Sequence, residues 1–86
     1  MTFKEAREIW FNFLRSEGWT IHQVNKRNFD PLKVPYAVKA NKPVLWFNAQ
    51  SIYYGITYKS AHSLTSDMRE VERIPLLLAW MDDQGL

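Results

Sequence analysis

The sequence predicts a single compact α+β domain over residues 1–86, ordered α, β, β, β, α. A small, mostly antiparallel sheet of about three to four strands is packed by an N-terminal helix and a C-terminal helical segment. Three observations carry this. Residues 3–17 repeat apolar side chains at helical spacing. The stretch from Val44 to Tyr58, VLWFNAQSIYYGITY, gathers Trp46, Phe47, Tyr53, Tyr54 and Tyr58 among β-formers such as Val44, Ile52 and Ile56. The segment behind Pro75 is apolar and long enough for a short helix.

Thr2 and Glu5 have the spacing of a capping box, in which hydroxyl and carboxylate satisfy each other's orphan amides, so the first helix starts there. At 100° per residue, Phe3, Ala6, Trp10, Phe13 and Leu14 share a stripe with Ile9 at its edge. Gly18 can take the left-handed position after Glu17. Phe11 falls off this stripe among Lys4, Arg7 and Arg15, and is either part of a wide buried face or an exposed contact residue.

Trp19 to Val24 alternates as a half-buried first strand would, and Asn25 to Asn28 end it. Pro31 and Pro35 hold residues 30–35 extended and poor in ladder donors. Tyr36 to Ala40 can pair, with Asn41 and Lys42 as a two-residue hairpin loop. Ala40 then opposes Pro43, Val38 opposes Leu45 and Tyr36 opposes Phe47, which makes Tyr36, Val38, Leu45 and Phe47 the core face. Ala37, Lys39, Val44 and Trp46 form the other face. That face is either a binding surface or is covered by a helix.

A single strand from 44 to 58 would run about 50 Å at about 3.3 Å per residue, too long for so small a domain. A break at Asn48 to Ser51 gives strands of about 43–48 and 51–58, with Gly55 a candidate bulge. In the tail, Ser66 can cap and Asp67 can complement a helix dipole, predicting a short helix to Glu72. Pro75, tolerated only in a first turn, then opens a second helix to Asp83. Val71, Ile74, Leu78 and Met81 share one side of this tail, while Leu76 and Trp80 point elsewhere.

Composition bounds the function. A hydrophobic fraction of 47% with thirteen aromatics (Trp 4, Tyr 4, Phe 5) suits a folded core, and only three glycines and four prolines argue against disorder. The absence of cysteine removes disulfides, thiolate metal sites and thiol nucleophiles, and with no apolar signal segment a cytoplasmic protein is expected. The longest apolar run, eight residues at 74–81, falls short of the roughly twenty that span a bilayer, so no membrane partner is expected.

No motif names a reaction. His22 and His62 stand 40 positions apart without zinc-site spacing, and Asp82 and Asp83 diverge by about 100° on a helix. The serines near His62 lack a nucleophile elbow, and Gly18, Gly55 and Gly85 build no phosphate loop. A non-catalytic role without cofactor or metal is the leading reading, with a small enzyme a third one.

Charge separates the remaining possibilities. Residues 1–19 are neutral and residues 61–86 carry −3, whereas residues 20–60 hold Lys26, Arg27, Lys33, Lys39, Lys42 and Lys59 against Asp30 alone, a net +5. Cations beside aromatic platforms bind phosphates and stack bases. Lys26, Arg27, Lys33, Lys39 and Trp46 are therefore candidates for engaging nucleic acid or an acidic protein surface. The alternative is a protein-binding adaptor or inhibitor, or a homodimer, that uses Phe11, Leu76 and Trp80 as hydrophobic anchors.

Overall fold

The protein's computed structural model describes residues 1–23 and 34–86. Helix α1 spans Phe3–Ser16. Both halves of the capping box form: the Glu5 amide donates to the Thr2 hydroxyl at 3.1 Å and the Thr2 amide to the Glu5 carboxylate at 3.2 Å. Gly18, with φ of 92°, lets the chain leave the helix in a left-handed turn that few other residues tolerate.

Strands β1 (Thr20–His22), β2 (Tyr36–Val38), β3 (Val44–Phe47), β4 (Ile52–Gly55) and β5 (His62–Thr65) form one antiparallel meander in spatial order β1-β2-β3-β4-β5. The α+β class and the two flanking helices match expectation, and the sheet has more strands than expected. The third and fourth strands are separate, as the length argument required.

The β2–β3 register corrects the expected hairpin. Tyr36 opposes Trp46 and Ala37 opposes Leu45, one residue away from the predicted pairing. The cause lies in the connection: the Lys42 amide donates to the Lys39 carbonyl at 3.1 Å, and Asn41 takes a φ of 65° inside that turn. A loop from Lys39 to Pro43 thus replaces the two-residue one. Because its length is odd, β2 turns over relative to β3. Ala37 faces the core, and Tyr36 and Val38 join Trp46 on the opposite face.

Strand β5 was not anticipated. Ile52 opposes Thr65 while Tyr53 opposes Ser63, so Leu64 is the extra residue of a bulge. Consecutive Leu64 and Thr65 are both buried, and the period of two that would reveal a strand is lost. The short helix expected up to Glu72 is replaced by turns and a 3₁₀ segment at Val71–Arg73. Asp67 serves the turn instead of a helix dipole. Its carboxylate accepts from the Arg69 guanidinium at 2.8 Å and from the Arg69 backbone amide at 2.9 Å, which together hold its pKa below the usual range. Helix α2 follows at Ile74–Asp83 with Pro75 in its first turn, where no donor is missed.

The core lies between one face of the sheet and the helices. Ala6, Trp10, Phe11 and Leu14 of α1 meet Ala37, Leu45, Phe47 and Ile52 of the sheet, and Ile74, Leu77 and Met81 of α2 close the cluster. Phe11 is 1% exposed and its ring meets Phe47 edge-on at 4.9 Å, so it is a core residue and not an exposed anchor. The buried arc of α1 is rotated by about 40° from the predicted stripe, toward Phe11 and away from Ile9, which is 39% exposed. Trp10 is fully buried and its indole N–H donates to the Met68 carbonyl at 2.8 Å, fastening the turn after β5 to α1. Among the described residues no helix is long and apolar enough to cross a membrane.

Candidate binding face

Both described helices pack on the same side of the sheet: α1 through Trp10 and Phe11 against Phe47, α2 through Trp80 against Tyr54. The other side carries a transverse row of rings. His22 opposes Tyr36, Tyr36 opposes Trp46 and Trp46 opposes Tyr53, one residue from each of four adjacent strands. His22 and Tyr36 stack with centroids 4.8 Å apart and planes 13° from parallel. Tyr36 and Trp46 follow at 5.3 Å. His22 is exposed and the three larger residues are half-buried.

The end of the row is fixed by the β4–β5 connection. Tyr58 folds back onto the sheet, 6.0 Å from the Trp46 ring and 6.3 Å, edge-on, from that of Tyr53. This return needs Gly55, since a Cβ there would lie 2.9 Å from the Ala61 Cα. The Gly55 carbonyl also accepts the Trp46 indole N–H at 3.0 Å, which sets the tilt of that ring. A partly buried indole donor is satisfied and one ring orientation is selected.

The expected basic residues distribute differently. Lys26, Arg27 and Lys33 lie outside the described residues, in the segment joining β1 to β2. Lys39 is not on the Trp46 face: the register change turns it toward α1, and its ammonium donates to the Glu17 carbonyl at 2.7 Å, where a cation suits a helix C-terminus. Lys42 is likewise engaged, by the Asp82 carboxylate and by the Leu86 carbonyl at 3.0 Å. Lys59, next to Tyr58, is exposed at the end of the row. Leu76 and Trp80 remain 70% and 42% exposed on α2, on the helix side of the sheet and away from the ring row.

The sequence places Trp46 on the face opposite Leu45 and Phe47 but does not bring Tyr36, Tyr53, Tyr58 and His22 beside it. The available signal was Asn41, one of the few residue types that enters the left-handed region readily, and one whose position decides whether the loop is odd or even. Among the described residues, no group of three or more His, Asp or Glu side chains could hold a metal ion. No family model, curated protein or solved structure matches the chain.

Proposed function

We propose that the face bearing His22, Tyr36, Trp46, Tyr53 and Tyr58 binds single-stranded nucleic acid, with bases stacking on the rings and cations of the middle segment neutralising phosphates. The observation that carries this reading is the directly opposed row across β1–β4 on the face turned away from α1 and α2. Aromatic pairs can serve a sheet's own stability. Yet half-open rings also leave π-surface for a ligand, and stacking contributes about 1–3 kcal/mol per base whatever its identity. Because Lys39 and Lys42 are engaged on the helix side, Lys26, Arg27, Lys33 and Lys59 supply the sequence-independent attraction.

Fluorescence anisotropy with a labelled oligothymidylate tests it. Binding at about 50 mM salt should weaken with a log–log salt slope of about −2 to −4, corresponding to a few phosphates. Trp46→Ala should weaken it by about 1–3 kcal/mol, or roughly 5- to 150-fold. Lys33→Glu should weaken it too, whereas Lys39→Glu should leave it unchanged because that side chain serves the end of α1. An absence of binding at low salt would remove the proposal.

A further inference from the structure

The exposed side of α2 is unrelated to the ring row and has a pattern of its own. Arg73, Leu76, Trp80 and Asp83 follow one another at intervals of three, four and three, and at about 100° per residue they fall within about 80° of arc. Ile74, Leu77 and Met81 face the core, which leaves Leu76 70% exposed and Trp80 42% exposed, one side of the Trp80 ring meeting Tyr54 edge-on at 5.8 Å. Together with Ser63 and Leu64 of the edge strand β5 they wall an open groove of about 310 Å³. Arg73 lies at its N-terminal end, bonded to Glu70 at 2.9 Å, and Asp83 lies beyond its C-terminal end.

We propose that this face is the interface of a two-fold symmetric homodimer in which α2 of one copy lies antiparallel along α2 of the other. The spacing is palindromic, so a two-fold axis at the level of Leu78 sets Leu76 against Trp80 of the second copy and Trp80 against its Leu76. The same axis brings Arg73 beside the second copy's Asp83 at both ends. An isologous interface requires a patch that complements itself, and the apolar pair Leu76 and Trp80, flanked three residues away on either side by opposite charges, meets that requirement. A different partner would need no such palindrome. Charge complementarity therefore selects a second copy of this chain, and Trp80 entering the groove beside β5 supplies the central anchor.

Sedimentation equilibrium on the full chain without nucleic acid reads the result. At about 100 µM, a concentration that populates a dimer of micromolar affinity, the mass should approach twice the monomer's 10.2 kDa. Leu76→Glu should weaken dimerisation by at least about tenfold while circular dichroism shows the fold intact, since the side chain is mostly exposed. Arg73→Asp and Asp83→Arg should each weaken it about fivefold. The double swap should restore it, an outcome that loss of the Arg73–Glu70 bond alone would not produce. A monomer at this concentration, a dimer indifferent to Leu76→Glu, or a double swap no better than the single changes would overturn the proposal.

Discussion

The two faces of the sheet are made by the same four residues of β3 and do opposite things with them. Leu45 and Phe47 are fully covered, Phe47 in T-shaped contact with the rings of Trp10 and Phe11, whereas Val44 and Trp46 are half-buried. On the covered side each ring fills a shape left by several elements, and its energy comes from volume. On the open side rings meet mainly rings from neighbouring strands, and their energy comes from a few pairwise contacts and one hydrogen bond. The contrast teaches that ring count alone does not locate a core, and it yields measurable differences.

The largest difference should appear on truncation. Phe11→Ala leaves a cavity against Phe47 and should cost about 3–5 kcal/mol in chemical denaturation, a large share of the 5–15 kcal/mol typical of a domain. Trp46→Ala, which removes half-buried ring contacts and the bond to Gly55, should cost only about 1–2 kcal/mol. Equal losses at the two sites would erase the distinction between the faces. The oligonucleotide experiment then sharpens it: Trp46→Ala should bind roughly 5- to 150-fold more weakly while it remains folded under assay conditions.

A smaller effect tests what turned β2 over. Asn41→Val should cost about 1–2 kcal/mol because a β-branched residue resists a positive φ, while Asn41→Gly should be neutral within a few tenths. Thermal melts of both variants separate this from a general intolerance at the loop. If Val is accepted as readily as Gly, the turn does not depend on that conformation, and the register has another origin.

The smallest effect concerns acid and lies in the first turn of α1 and in the turn after β5. The carboxyl of Glu5 is held below its usual range by the Thr2 hydroxyl and amide, and that of Asp67 by the Arg69 side chain and amide. A depressed folded pKa contributes stability that is present above the unfolded value, about 4 for these groups, and is lost as pH falls through the lower folded value. Urea midpoints should therefore drop below about pH 4, and Glu5→Gln should flatten part of that fall. Both groups are on the surface, so the change should be modest.

Some of this molecule was written in local residue order. The capping box, the α1 span, the break between β3 and β4, and the second tail helix opened by Pro75 all depend on neighbours within a few positions, and all were legible. Trp46 lies off the core for a local reason, its alternation with Leu45 and Phe47 along β3. What tertiary structure decided was parity and burial. Asn41 made the β2–β3 connection odd and so exchanged Tyr36 for Ala37 in the core. The bulge at Leu64 hid β5, and packing against Phe47 rotated the buried arc of α1 onto Phe11. Each depends on a partner distant in sequence or on the backbone conformation of a single turn residue. A periodicity along one segment holds neither, because it specifies which residues share a side but not which side the rest of the chain will cover.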